Sequence, residues 1–170
     1  MEDVYKIKKG LVVALMVDTA LLAVLLAVSF FKGNSPVEKV VLSVILVPLL
    51  LVTVESNCRK VTVSEKGLSI RKLFRKREFL WGDITDVGAV ILRNRVYLVL
   101  TTTKGFHIIS NAYDDFPALL RGIVSHVEAE RVEEQVKALV ERPVTKVSDV
   151  VSAWAGAVVL LVVIYIRVFL

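Results

Sequence analysis

Cysteine occurs once, at Cys58, which excludes an intrachain disulfide and every cysteine-based metal framework. Histidine occurs twice, at His107 and His126, and neither has a serine, cysteine or acid at the spacing of a catalytic motif. The chain also lacks a G-x-S-x-G elbow, a phosphate-binding loop, an H-E-x-x-H helix and a paired-carboxylate pattern. No catalytic residue, no metal and no cofactor is therefore expected. Amides are scarce as well, with four Asn and one Gln in 170 residues.

Apolar residues are plentiful: the chain is 55% hydrophobic at a mean hydropathy of +0.67, yet 23% of it is charged. Both hold only if the two kinds of residue are segregated, and they are. Three apolar runs carry almost no charge, while residues 56–149 hold 16 Lys and Arg against 12 Asp and Glu. The first run, Leu11 to Phe31, is about 31 Å long as a helix at about 1.5 Å per residue, which matches a bilayer core. It exceeds the apolar core of a signal peptide, and Ser29-Phe30-Phe31-Lys32 is no small-residue cleavage site.

The second run, residues 37–54, opens on Ser35-Pro36-Val37-Glu38, which reads as an N-cap, a proline in the first turn and a capping box. Lys39 is expected to snorkel and Pro48 to kink the helix. Lys32-Gly33-Asn34 makes the first two helices a tight hairpin. The third run, residues 150–170, has Trp154 near one end and Tyr165 and Phe169 near the other, as interfacial anchors. Three parts follow: residues 1–55 with the transmembrane hairpin, a water-facing domain at 56–147, and a C-terminal transmembrane helix at 148–170. Lys6, Lys8 and Lys9 before the first helix and Arg59 and Lys60 after the second outweigh Lys32 and Lys39 in the hairpin loop. The basic flanks predict a multi-pass cell-membrane protein with the N-terminus and the folded domain in the cytoplasm and the C-terminus outside.

Within the water-facing domain the pattern turns short, β-branched and alternating, with strands expected near 59–64, 67–73, 77–81, 87–93, 95–102 and 105–110. Glu65-Lys66-Gly67, Arg93-Asn94-Arg95 and Thr103-Lys104-Gly105 read as hairpin turns, with glycine supplying positive φ. After Asn111 the period becomes helical, with Phe116, Leu119, Leu120, Ile123, Val124 and Val127 on one face and Asp114 and Asp115 as cap candidates. The stripe slips before Val132, Val136, Leu139 and Val140, which predicts a break near Glu128–Glu130 and a stop at Pro143. The fold class is an α+β membrane protein. An antiparallel sheet or barrel with a C-terminal amphipathic helix is expected between the hairpin and the last span.

The series Val63-Ser64-Glu65-Lys66-Gly67-Leu68, the basic stretch Arg71 to Arg77, Trp81-Gly82-Asp83-Ile84, and Val96-Tyr97-Leu98-Val99-Leu100-Thr101-Thr102 with Gly105 resembles the prokaryotic membrane-anchored PH-like (pleckstrin-homology-like) domain family. The resemblance covers about residues 5–128. It implies lipid or protein binding at the membrane without catalysis.

Residues 59–77 hold Arg59, Lys60, Lys66, Arg71, Lys72, Arg75, Lys76 and Arg77 against Glu65 alone. Arg59, Lys60, Arg71, Lys72, Arg75, Lys76 and Arg77 are the candidate contacts to anionic lipid; topology and solubility explain the same charges equally well. The Glu65-Lys66-Gly67 turn is too short for stereospecific headgroup recognition, and the single aromatic Phe74 among these charges argues against nucleic acid. Asp18 falls inside the first span, where a charged carboxylate is costly; it is expected to make a polar contact with Thr19, Ser43 or a second subunit. Ala23/Ala27, Ser152/Gly156 and Ala153/Ala157 are small-residue pairs that permit close helix approach. Trp81 and Ile84 are expected to pack the sheet, Gly82 to permit a turn and Asp83 to cap it. Cys58 is a small residue at the membrane edge, where palmitoylation is chemically open. The expected partners are membrane lipids, a protein of unknown identity and a second copy of the chain. The competing function is a proton- or ion-coupled transport component working through Asp18.

Overall fold

The computed structural model describes residues 2–32, 35–92, 95–103, 105–142 and 148–169. The sequence-predicted turn residues Gly33, Asn34, Arg93, Asn94 and Lys104 and the stop at Pro143 lie outside them. The elements in chain order are β1 (Asp3–Lys6), α1 (Lys9–Phe31), α2 (Pro36–Cys58), β2 (Lys60–Ser64), β3 (Gly67–Arg71), β4 (Lys76–Leu80), β5 (Ile84–Leu92), β6 (Arg95–Thr102), β7 (Gly105–Ser110), α3 (Phe116–Val124), α4 (Glu134–Glu141) and α5 (Ser148–Phe169). They fall into two units. One is Met1–Lys8 with Cys58–Lys146; the other is Lys9–Asn57 with Val147–Leu170.

In the helical unit, α1, α2 and α5 are each long and apolar enough to cross a membrane. Helix α1 buries Ala14, Asp18, Leu22, Leu25 and Ser29, a stripe at helical spacing, and packs along α5. The approach is close because α5 offers small residues. Ala157 is buried, and a Cβ at Gly156 would stand 3.5 Å from Asp18 Oδ2. Ala23 and Ala27, the other small pair, are exposed and take no part in this packing. Helix α2 meets α1 through Thr53, whose Oγ1 lies 2.9 Å from Thr19 Oγ1 and 3.4 Å from Leu15 O, and Thr53 is the buried residue of α2.

Ser35 Oγ accepts from Val37 N at the start of α2, and the helix runs on through Pro48. At the far end of this unit Arg167 Nη2 pairs with Glu38 Oε2 at 2.9 Å, and Lys32 Nζ donates to the carbonyls of Arg167 and Val168 at 2.5 and 3.1 Å. These bonds answer C-terminal carbonyls that α5 itself leaves unpaired. Lys39 reaches back over the Phe30 ring, 5.0 Å from its centroid.

The other unit is built on two antiparallel sheets, one ordered β1-β2-β3-β4 and one ordered β5-β6-β7. Alternation sorts the strands: Val61, Val63, Leu68, Ile70 and Phe79 face inward from the first sheet, and Val87, Val96, Leu98, Leu100 and Ile109 from the second. Strand β1 is absent from the sequence reading, which assigned residues 1–55 to the anchor. It pairs with β2 from Asp3↔Val63 to Lys6↔Lys60, although α1 and α2 lie between them in the chain. Helix α3 closes the core with Phe116, Leu119, Leu120 and Ile123, and Asp115, at φ 45°, caps it by accepting from Ala118 N at 3.3 Å. The expected break is a 3-10 turn at Ala129–Arg131. Beyond it Val132 forms a parallel bridge to Val87, and Glu133 N donates to Val87 O at 3.0 Å, so the outer edge of β5 is covered.

Two glycines work differently from the sequence reading. Gly105 has the expected positive φ of 114°, whereas Gly67 does not. Gly67 is required by contact instead, since a Cβ there would stand 2.0 Å from the carbonyl oxygen of Phe79 on β4. Gly82 has neither positive φ nor any atom within 4 Å of an added Cβ, so the turn it occupies does not depend on glycine.

Candidate functional site

The pairing registers collect the basic residues. Lys6↔Lys60, Lys60↔Arg71 and Arg71↔Lys76 are directly opposed pairs, so four cations form one row across all four strands of the first sheet. The row lies on the outer face, because Val61, Ile70 and Phe79, offset by one residue or three, face the core. It continues into the β3–β4 turn, which Lys72 N closes by donating to Arg75 O at 2.8 Å. Lys72 and Arg75 are exposed, and Phe74 at the tip is 91% exposed.

Of the seven candidate lipid contacts, Lys60, Arg71, Lys72, Arg75 and Lys76 therefore converge on one edge of the domain. Arg77 does not: it pairs with Ile70 and lies on the opposite face, half-buried. Arg59 precedes β2 and is half-buried. Lys6 joins the row although no spacing argument singled it out, because its place depends on β1. The signal was the β-forming run Val4-Tyr5-Lys6-Ile7, too short to stand out beside a spanning helix.

Opposed like charges cost a sheet stability. An ion pair on the sheet offsets part of this, Lys76 Nζ to Glu78 Oε1 at 2.5 Å, between two well-exposed side chains. Farther along the outer face the row gives way to Thr62, Ser69 and Glu78, then Ser64 and Leu80. These line an open groove of about 370 Å³ together with Lys66 and Asp83. Its hydroxyls and mixed charges do not continue the basic surface.

The Trp81-Gly82-Asp83 segment is a 3-10 turn that fastens the end of the domain opposite the basic row. Trp81 Nε1 donates to Ser64 O at 2.9 Å, and its ring stacks on His126 with centroids 4.7 Å apart. Leu80 N donates to Asp83 Oδ2 at 3.4 Å, and Thr103 N to Asp83 O at 3.0 Å. His107 is half-buried against the Phe79 ring, centroids 4.4 Å apart, and its Nε2 is buried without a hydrogen-bond partner among the described residues. Burial holds its pKa below the usual histidine value, and the nearby Arg77 and Lys72 charges push the same way.

Within the helical unit Asp18 is only 8% exposed and its Oδ1 has no hydrogen-bond partner among the described residues. The expected contacts to Thr19 and Ser43 are not made. Thr19 bonds Leu15 O and Thr53, Ser43 bonds Lys39 O, and Asp18 faces Gly156 of α5. Cys58, at the last position of α2, is exposed and free. Among the described residues no group of three or more His, Cys, Asp and Glu stands close enough to hold a metal ion.

Between α2 and α3 lie the six strands that alternation and turn signals predict, with a helix closing their core. Residues 59–116 match the bacterial PH domain family. The match runs from the end of α2 through β7 to the first residue of α3, so it takes in the β3–β4 turn and all of the candidate cations except Lys6. No curated protein and no solved structure matches the chain. Residues 59–116 are thus similar to a bacterial PH domain, the sheet they build takes its first strand from the far side of a hairpin of apolar helices, and the chain has three helices long and apolar enough to cross a membrane.

Proposed function

We propose that this protein is a non-enzymatic membrane scaffold whose cytoplasmic PH-like domain meets the anionic inner leaflet through the basic row and the β3–β4 turn. The single observation that carries the reading is the alignment of Lys6, Lys60, Arg71 and Lys76 across four strands. Such a row costs stability in water and is relieved by an anionic surface, where each cation near the headgroups gains about 1 kcal/mol. The chain supplies the proximity. Two residues separate Lys6 from α1 and one separates Lys60 from α2. At about 3.5 Å per extended residue these two links are each no longer than roughly a Debye length.

The domain then acts by orientation, displaying its remaining surface to a protein partner. Strand β7 ends its sheet, with Phe106 and Ile108 exposed on it, and is suited to strand addition. Nucleic acid is not part of this reading. Self-association is, since α2 keeps a largely exposed apolar surface.

The test is lipid selectivity of the reconstituted full chain. Spin-labelled phosphatidylglycerol should be motionally restricted more than spin-labelled phosphatidylcholine, and high salt or Gln at Arg71, Lys72, Arg75 and Lys76 should abolish the difference. Equal restriction of both lipids at low salt would sink the reading.

A second reading rests on the unpartnered carboxyl oxygen of Asp18, which suits a site for a proton or cation in transit. Asp18→Asn separates the two. Loss of an ion flux in vesicles with assembly preserved favours transport, and a change in assembly alone removes that reading.

A further inference from the structure

The domain has two ends, and its hydrogen bonds fix which turns share each. Lys6, Lys60, Arg71 and Lys76 mark one end of the first sheet. Asp114 N donates to Lys6 O at 2.7 Å, Lys8 N to Ala112 O at 3.1 Å and Asn111 N to Val96 O at 3.0 Å. These bonds carry the same end across to the second sheet, so Leu92 at the end of β5 and Arg95 at the start of β6 share one end of the domain with the β3–β4 turn. The Ser64–Gly67 turn, Trp81–Asp83 and Thr103 occupy the other, joined by the Trp81–Ser64 and Thr103–Asp83 bonds.

Both the β3–β4 turn and the last described residues of β5 expose large apolar side chains at this end. Phe74 is 91% exposed between Lys72 and Arg75; Leu92 is 59% exposed and Ile91 close to half, with Arg95 across the ladder from Leu92. This is also the end at which the chain passes from β1 to α1 and from α2 to β2. Large apolar side chains ringed by cations, beside a covalent membrane tether, match the composition of an interfacial anchor: apolar groups in the acyl boundary, Lys and Arg at the phosphates. A protein interface would instead be depleted of lysine at its centre.

We infer that Phe74 and the Ile91–Leu92 pair insert into the headgroup and upper acyl layer of the bilayer that the helices span, giving the domain two apolar contacts beside its covalent ones. The inference rests on the proposed anionic-leaflet contact for its orientation, but adds penetration, which charge attraction alone does not require. Insertion fixes the tilt of the domain, and with it the direction in which β7 is presented.

The experiment uses the full chain with Cys58→Ser and single cysteines introduced as Phe74→Cys, Leu92→Cys or Phe106→Cys. Each is labelled with the environment-sensitive fluorophore NBD and reconstituted in phosphatidylglycerol–phosphatidylcholine vesicles. Phe106 is the control, since it is 74% exposed and apolar but lies next to the β6–β7 turn at the opposite end. All three side chains are exposed, so labelling leaves the core intact. The expected result is a blue shift and strong quenching by headgroup-level nitroxide lipid at 74 and 92, with neither at 106. Quenching at 74 and 92 no greater than at 106 overturns the insertion. Repeating the measurement in neutral vesicles separates the two claims. Quenching that persists there upholds insertion while the anionic-lipid reading falls. Anionic selectivity in the spin-label assay with unquenched labels in charged vesicles upholds that reading while insertion falls.

Discussion

His107 gives the domain a pH dependence that can be assigned to one residue. Its imidazole lies against Phe79 with Nε2 unpartnered, and its pKa is held below 6.5 by burial and then by Arg77 and Lys72. The unfolded chain binds the proton more readily, so stability is full above about pH 6.5 and is lost as pH falls through the unfolded pKa toward the folded one. Thermal unfolding followed between pH 7.5 and 5 should show a midpoint that drops on acidification, and His107→Leu should flatten that part of the profile. An unchanged profile in the variant would remove His107 as the cause. Gly67 and Gly82 make a second contrast. Gly67→Ala drives a methyl against the Phe79 carbonyl and should cost about 1–3 kcal/mol, while Gly82→Ala meets nothing and should be nearly neutral, both read by urea titration.

The strands and helices explain what the sequence disclosed and what it hid. Strands β2 to β7 were legible because alternation and turn signals are local, and α3 because its apolar period and Asp115 cap are local too. Strand β1 was not, because four residues before a spanning helix carry no periodicity of their own and pair only with a strand beyond the hairpin. With β1 went the sense of the basic stretch. Spacing alone counted seven cations; registers put five of them and Lys6 on one edge and turned Arg77 inward. That Asp18 faces Gly156 of α5 was hidden for a related reason: helix spacing tells which residues share a face but not which helix that face meets.

The row itself makes an element-scale prediction. Arg71 is flanked by Lys60 and Lys76, so Arg71→Thr should raise the stability of the sheet by about 0.2–1 kcal/mol while weakening selectivity for anionic lipid. A variant that lost stability, or kept full selectivity, would contradict a row retained for binding.

For the molecule as a whole, orientation comes first. Cys58 is the chain's one cysteine, exposed at the end of α2 where the PH-like domain begins, and it reports sidedness without any substitution. A membrane-impermeant maleimide should label it in inverted vesicles and not in intact cells. The reverse would place the domain outside and remove the anionic inner leaflet from consideration. The first strand is fed from one side of the hairpin and the rest from the other, so closing the β1–β2 ladder also closes the chain around the helical hairpin. The central claim, that the basic edge rests on anionic lipid, is tested most directly by amide hydrogen exchange on the full chain in nanodiscs of phosphatidylcholine with and without phosphatidylglycerol. The account predicts that residues 71–77 slow their exchange when phosphatidylglycerol is present, that high salt reverses the slowing, and that the Ser64–Gly67 turn does not respond. Identical exchange of residues 71–77 in both lipids would contradict it.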